Sequence, residues 1–145
     1  MIDPQFRPAG PADADLIAPL LDAAYAPYRA TLPDLPDMTE GLADDLAQTE
    51  NWMAEDDKGA KAVLLFMPDA DALFIKNLAV RPDTQGQGLA RKLMAPAETR
   101  AHTHGLPCLR LTTHADMSDT IAVYKKLGFE VTQTFPGALR MEKPV

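Results

Sequence analysis

Hydrophobic residues recur every three or four positions in four stretches of the 145-residue chain, and this spacing predicts four helices with one apolar face each. The first helix is expected to follow Gly10 and Pro11 and to run to about Pro27, with a bend at Pro19 because proline cannot donate to the preceding turn. The third helix is expected to kink at Pro96 for the same reason. The apolar positions that define the four helices are Leu16, Ile17, Leu20, Leu21, Ala24 and Tyr25; Leu42 and Leu46; Leu89, Leu93, Ala97 and Ala101; and Ile121, Tyr124 and Leu127.

Small polar residues and glycines predict where these helices begin and end. Thr39 and Ser118 stand near the starts of the second and fourth apolar stretches, and their hydroxyl groups are expected to cap the helix N-termini. Gly105 and Gly128 follow the third and fourth stretches, where glycine readily adopts the left-handed conformation that ends a helix. The third helix is therefore expected to reach about His104.

Seven segments bounded by turn residues predict strands. The sequence "DDKG" at 56–59 predicts a hairpin turn, and "PDAD" at 68–71 predicts a second turn. The strands in chain order are "IDPQFRPA" with Phe6 facing inward, "NWMAE", "AKAVLLFM", "ALFIKNLAV", a buried "LPCLRLTTH", "FEVTQTF" and "GALRMEKP". The order is one strand, two helices, three strands, a helix, a strand, a helix and two strands. It predicts a single mixed α/β domain over residues 1–145.

Charge is distributed unevenly along the chain, whose formal net charge is -7. Residues 1–57 carry a net charge of about -11 and residues 58–145 about +4. This asymmetry indicates either two solvated faces of opposite sign or a C-terminal half that holds an anion and an N-terminal half that holds a cation. No basic cluster with interleaved aromatic residues is present, so nucleic acid is not an expected partner.

The composition is that of an ordinary globular protein. The longest apolar run, Ala62 to Met67, is too short to cross a membrane, and "MIDPQFRP" lacks the regions of a signal peptide. Cys108 is the only cysteine, so no intrachain disulfide is expected, and a cytoplasmic location is predicted. No spacing of histidine, cysteine and carboxylate residues indicates a metal site.

The segment "LAVRPDTQGQGLARKL" at 78–93 predicts a strand, a glycine-bearing turn and a helix N-terminus, a combination that often binds an anion. A Walker A loop is excluded because Leu89 follows Gly88 where lysine is required. A dinucleotide-binding turn is excluded because Arg91 stands where a third glycine is required. A plain tight turn remains possible. Consecutive backbone N–H groups with little side-chain bulk favour a pyrophosphate instead.

The segment Gln85-Gly86-Gln87-Gly88-Leu89-Ala90 resembles the Gln/Arg-x-x-Gly-x-Gly/Ala motif of the GNAT N-acetyltransferase family. The preceding "NLAVRP" is similar to the strand before the family's turn, and "TIAVYKKLGFEV" resembles its late helix. The resemblance extends over essentially the whole chain. It implies a central, mostly antiparallel sheet that is splayed at the cofactor cleft and flanked by about four helices, with acetyl-CoA as the co-substrate and no metal.

The resemblance also assigns roles to individual residues. It implies that the backbone of Gln85, Gly86, Gln87, Gly88, Leu89 and Ala90 holds the pyrophosphate. It implies that the main chain of Leu78, Ala79 and Val80 pairs with the pantetheine arm. Tyr124 resembles the family's tyrosine that protonates the departing thiolate, which suits a phenol because its pKa exceeds that of a thiol. A core position in the last helix is the alternative for Tyr124.

Two positions depart from the family pattern. Where many relatives carry a cofactor-contacting asparagine, this chain has Met117, Ser118 and Thr120. Some subgroups of the family carry Met at this place, and the resemblance therefore implies that Met117 and Thr120 lie at the cofactor. Where many relatives carry a glutamate base, it has Lys76 and Asn77, neither of which is a good base. Histidine is the residue type suited to proton relay near neutral pH, so His114 is either a proton relay through water or an ordinary surface histidine.

The acceptor side is expected to be walled by the first helices and the loop between them. Tyr25, Tyr28 and Asn77 are candidates to line it, with a core position as the alternative for Tyr25. The region is rich in acidic residues, which favour a cationic amine: Asp34, Asp37, Glu40, Asp44 and Asp45.

Two functions are consistent with the sequence. One is an acetyl-CoA-dependent N-acetyltransferase that acts by direct attack of a small-molecule or peptide amine, and the other is a non-catalytic acyl-CoA-binding module. The sequence leaves both the acceptor and the choice between monomer and homodimer open.

Overall fold

The computed structural model describes residues 5–33, 35 and 37–145, and within them it contains the predicted order of helices and strands. Residues 2–4 of the first predicted strand, and the predicted acidic residue Asp34, lie outside the described residues. The strands are β1 (Phe6–Ala9), β2 (Glu50–Asp56), β3 (Gly59–Asp69), β4 (Ala72–Val80), β5 (Cys108–His114), β6 (Glu130–Phe135) and β7 (Ala138–Pro144). The helices are α1 (Ala14–Arg29), α2 (Leu42–Gln48), α3 (Leu89–Thr103) and α4 (Ser118–Lys126).

The strands form one seven-stranded sheet in the order β1-β2-β3-β4-β5-β7-β6. Every neighbouring pair is antiparallel except β4 and β5, which are parallel. A parallel neighbour requires a crossover, and α3 provides it. The sheet is therefore mixed and mostly antiparallel, which confirms the predicted fold class.

Each face of the sheet is covered by its own helices. Alternate residues of β3 point to opposite faces, so Leu64 packs in one core and Leu65 in the other. The first core contains the buried sides of α3 and α4, including the fully buried Leu93, and the second contains those of α1 and α2, including Ile17 and Leu46. Phe6 packs against the first core, as predicted.

A β-bulge in β4 changes which residues face each core. Asn77 lies opposite Leu65, and Ile75 lies opposite the next residue of β3, so Lys76 is an extra residue in β4. Ile75 packs in the α3-side core whereas Ala79 packs in the α1-side core, although uninterrupted alternation would place both on one face. The bulge thus turns Asn77 toward α1.

Several helix ends differ from the predictions. Gly41, with φ 69°, is the N-cap of α2, and Thr39 instead donates its hydroxyl to the carboxylate of Asp37. Met117 is the N-cap of α4, and Ser118 is its first helical residue. Neither predicted hydroxyl cap is therefore correct, because each hydroxyl residue lies one or two positions away from the cap. Gly105 and Gly128 have positive φ after α3 and α4, as predicted.

The structure also refines the predicted helix bounds and the predicted burial of one strand. Helix α1 runs through Pro19 and Pro27 and ends at Arg29, two residues later than expected, and α3 runs through Pro96. Strand β5 is not buried throughout, since only Leu109 and Leu111 are. No helix in the described ranges is long and apolar enough to span a membrane.

Candidate active site

The parallel strands β4 and β5 separate soon after they meet. They pair only at Leu73 with Leu109 and at Phe74 with Arg110, while β5 pairs with β7 along its whole length. Beyond Phe74, the edge of β4 that faces β5 has no strand partner within the described residues. The resulting gap leaves main-chain donors and acceptors available to an extended ligand.

A cleft of about 290 Å³ lies at this gap. Six residues predicted for the site line it together: Tyr25, Asn77, His114, Met117, Thr120 and Tyr124. Sequence reasoning did not identify the remaining lining residues, which are Leu35, Met38, Ile75, Lys76, Leu111, Thr112, Thr113, Gly137 and Ala138, as part of one cavity. In the sequence, these residues are marked only by belonging to the loops and strand ends that meet at the cleft.

Tyr124 lies on the buried side of α4 and is only 6% exposed. Its ring packs edge-on against Phe129 with the ring centroids 5.5 Å apart, which fixes the direction of the phenol. Burial, with a smaller contribution from nearby Tyr25, raises the pKa of the Tyr124 hydroxyl well above its usual value. The hydroxyl therefore keeps its proton, and Tyr124 lines the cleft.

Tyr25 joins α1 to the bulged strand. Its hydroxyl donates to the side-chain carbonyl oxygen of Asn77 at 2.7 Å. Burial, followed by the neighbouring Tyr28, raises the pKa of Tyr25 to about 12, so the group remains a donor. The bond fixes the orientation of the Asn77 amide. It can form because the bulge turns Asn77 to the face of the sheet that α1 covers.

Tyr28 and Thr120 connect the two walls of the cleft. Their hydroxyl oxygens lie 3.2 Å apart, and either one can donate. Tyr28 belongs to the last turns of α1 and Thr120 to the first turn of α4. Tyr28, predicted to line the acceptor pocket, thus contacts Thr120, predicted to bind the cofactor.

His114 ends β5 and accepts a hydrogen bond at Nδ1 from the backbone N–H of Asp116, at 3.1 Å. Because an N–H donates to Nδ1, this nitrogen is the unprotonated one, and a neutral ring carries its proton on Nε2. The lone pair that a general base would use is already engaged by the backbone.

The glycine turn between β4 and α3 is exposed and strongly curved. Gly86 has φ 85°, and Gly88, the N-cap of α3, has φ 76°. The first backbone bond into the helix is from the N–H of Lys92 to the carbonyl of Gly88, and no carbonyl in the described residues accepts from the backbone N–H groups at 85–91. These free donors at a helix N-terminus fit a pyrophosphate.

Arg81 anchors this turn, and sequence reasoning did not identify it. Its guanidinium contacts the carboxylates of Asp56 at 2.7 Å and Asp83 at 2.6 Å, and its backbone N–H donates to Lys61. The hydrogen bonds from Arg81 lower the pKa of Asp56 to about 2. Buried Thr84 donates its hydroxyl to the carbonyl of Arg81. Asp83 is only two residues from Arg81, so the sequence could have indicated this ion pair. Asp56 is 25 residues away, and nothing in the sequence indicated its contact with Arg81.

In the described part of the chain, no group of three or more histidine, cysteine, aspartate or glutamate residues could hold a metal ion.

Residues 18–129 match the model of the Acetyltransferase (GNAT) family. The chain belongs to the GNAT family. It is 33% identical over 107 residues to the peptidyl-lysine N-acetyltransferase YjaB of Salmonella typhimurium, an alignment that covers 72% of this chain and 63% of that protein. The chain spans 18% to 63% of the lengths of the curated relatives it matches.

Solved GNAT structures show the same fold. The PaiA N-acetyltransferase of Thermoplasma acidophilum, in complex with coenzyme A, has a TM-score of 0.79 at 19% identity, covering 97% of this chain and 98% of that one. The ribosomal-protein-S18-alanine N-acetyltransferase of Escherichia coli has a TM-score of 0.74 at 22% identity, covering 97% and 92%. Both fold matches extend over nearly the whole chain.

Proposed function

We propose that this GNAT chain, acting as one domain over residues 1–145, transfers an acetyl group from acetyl-CoA to the primary amine of a small molecule or peptide. The observation that carries the proposal is the row of free backbone N–H groups at 85–91, at the turn that follows splayed strand β4. A buried tyrosine lines the cleft between the splayed strands. The names of the relatives, which include a lysine and an alanine N-acetyltransferase, support the amine as acceptor.

The cofactor end is formed by main-chain groups. The N–H groups of Gln85 through Ala90 hold the pyrophosphate, and the N-terminal dipole of α3 adds to their attraction for a doubly charged group. The open edge of β4 at Leu78, Ala79 and Val80 pairs with the amides of the pantetheine arm. Met117 and Thr120 bound the arm from the side of α4.

The chemical step requires the amine nitrogen to attack the thioester carbonyl carbon while the carbon–sulfur bond breaks. Tyr124 delivers its phenolic proton to the departing sulfur, and solvent in the open cleft takes the surplus proton of the amine. A phenol is protonated at neutral pH, so the donor is present at the start of each turnover, and the phenolate left after the transfer takes its proton back from solvent. Asn77, oriented by Tyr25, borders the acceptor.

The second candidate function is a non-catalytic acyl-CoA-binding module. The observation that favours it is the absence of aspartate and glutamate from the described lining of the cleft, which leaves no carboxylate base. The two functions differ in whether an amine accelerates thiol release.

The test combines calorimetry with thiol release. Acetyl-CoA is titrated into the protein, and free thiol is then followed with a panel of amines, with the half-buried Cys108 giving a constant background to subtract. We expect binding and amine-dependent thiol release. Binding without acceleration by any amine, lysine peptide or N-terminal peptide would instead establish the binding module.

A further inference from the structure

The charge of the cleft lining is opposite to that of the chain. The chain is acidic overall, yet among the described lining residues the ionisable ones are Lys76, His114 and two tyrosines, with no carboxylate. Lys76 is the one ammonium group in this part of the lining. An acceptor that enters the cleft therefore meets a positive charge.

The β4 bulge places Lys76 at this position. As the extra residue of the bulge, it has no partner in the β3 register, and its side chain extends toward α2. Its Nζ lies 3.8 Å from a carboxylate oxygen of Asp45, and both side chains are more than a third exposed. This distance is that of a salt bridge, but an exposed pair of this kind contributes little to stability, so a ligand carboxylate can compete with Asp45 for the ammonium group.

The acidic residues of the α1–α2 region do not reverse this charge within the described residues. Asp37 is hydrogen-bonded to Thr39 and lies 3.7 Å from the Arg29 guanidinium, and Asp44 and Glu40 are exposed outside the cleft lining. The described acidic residues between the helices therefore do not make the acceptor pocket anionic.

Part of the remaining lining is apolar, beside polar residues such as Asn77 and Thr112. Side chains from the α1–α2 loop and the two splayed strands contribute hydrocarbon or thioether surface: Leu35, Met38, Ile75 and Leu111. A ligand that satisfies this surface carries an apolar group near its amine, since burying a second charge here would be unfavourable.

We propose that the acceptor is an amine with a neighbouring carboxylate and an apolar side chain, of the free hydrophobic amino acid class, and that Lys76 is the specificity-determining residue that binds its carboxylate. The inference rests on the proposed acetyl transfer and names its substrate class. Lys76 contacts the carboxylate and not the reacting atoms, so it discriminates between acceptors without taking part in proton transfer.

The test compares L-leucine with L-leucinamide, which share the amine and the side chain but differ in the anionic group. The measured quantity is the ratio of kcat/KM for leucine to that for leucinamide in the wild type, Lys76→Met and Lys76→Glu. Comparing this ratio between variants cancels the different basicity of the two amines. Lys76→Met should lower the ratio about tenfold, and Lys76→Glu should lower it further.

A matched control comes from the partner of Lys76. Asp45→Asn removes the competing carboxylate, so the ratio should stay equal or rise, while kcat/KM for leucinamide should change by less than about twofold in Asp45→Asn. Melting temperature and coenzyme A affinity of each variant confirm that the fold and the cofactor end are intact. A ratio that Lys76→Met leaves unchanged overturns the proposal.

Binding separates this inference from the proposed catalysis. Leucine and leucinamide are titrated by calorimetry into the protein saturated with coenzyme A, so the preference is measured without turnover. If no amine releases thiol but leucine binds in a Lys76-dependent manner, acetyl transfer fails and the specificity stands. If lysine peptides or spermidine are acetylated while leucine neither reacts nor binds, the acceptor class is wrong and acetyl transfer stands.

Discussion

The glycine turn proposed to hold the cofactor and the cleft proposed to hold the acceptor are built from different parts of the chain. At the cofactor end, consecutive backbone N–H groups of one turn are available, and their direction depends on the positive φ of Gly86 and Gly88. At the acceptor end, the proposed lining consists of side chains from α1, the α1–α2 loop, β4 and β5. A backbone site needs only local geometry, whereas a side-chain site depends on how distant elements pack.

This difference explains why one end can stay constant in a family while the other varies. Any residue can supply a backbone N–H, so the turn needs glycine only where φ is positive. Each acceptor contact instead depends on side-chain identity, so single substitutions such as those at Lys76 or Asn77 can change the ligand without disturbing the turn. Variants at the two ends should therefore affect different kinetic constants.

The largest expected effect is on chemistry at Tyr124. Tyr124→Phe removes one oxygen from a packed ring, so the fold and acetyl-CoA affinity should be kept, while kcat should fall about 10²- to 10⁴-fold, the usual contribution of a positioned acid. Steady-state kinetics with the best amine measure it. Tyr28→Phe is the matched control, since it removes another phenol near the cleft. A folded Tyr124→Phe variant with wild-type kcat, under conditions where chemistry limits the rate, would leave water as the donor.

The next effect concerns the cofactor end alone. Gly88→Val should weaken acetyl-CoA binding about tenfold or more, because a β-branched residue disfavours φ 76° and its side chain would project toward the phosphates. Calorimetry measures the affinity.

Gly41→Val is the matched control for this experiment. Gly41 is also a helix N-cap with positive φ, and a Cβ built at either glycine meets no atom within 4 Å. Both variants should lose similar stability, but only Gly88→Val should lose affinity. Equal affinity in the two variants would remove the pyrophosphate from this turn.

The anchoring of the turn by Arg81 predicts a pH dependence. The folded pKa of Asp56 is about 2, below its unfolded value, so the Asp56–Arg81 pair stabilises the fold above about pH 4 and loses this contribution as pH falls toward 2. The difference in the free energy of unfolding between wild type and Asp56→Asn should therefore shrink over this range. Urea unfolding at several pH values measures it, and a difference that stays constant from pH 7 to 2.5 contradicts the assignment.

The smallest effect should appear in both kinetic constants at once, because the Tyr28–Thr120 contact joins the two ends. Tyr28→Phe removes one hydrogen bond worth about 1 kcal/mol, so KM for acetyl-CoA and KM for the amine should each rise about two- to fivefold with little change in kcat. Thr120→Val should reproduce the result. A change confined to the amine would show that Tyr28 serves the acceptor end only.

Local patterns in the sequence determined much of the fold. The apolar positions Leu89, Leu93, Ala97 and Ala101 are all buried on one face of α3, as their spacing predicts. Strand β4 has the predicted bounds, and the hairpin between β2 and β3 turns at Asp57 and Lys58 between paired residues Asp56 and Gly59. Periodicity and turn chemistry act over a few residues, so one sequence is sufficient to predict them.

The sequence by itself also determined the glycine turn, because Gly86 and Gly88 allow its backbone conformation. Tertiary structure decided the rest of the site. The register of β3 against β4 creates the bulge at Lys76, and the packing of α1 brings Tyr25 to Asn77. Tyr25 and Asn77 are 52 residues apart. Strand pairing and helix packing, rather than local propensity, select both the bulge and this contact.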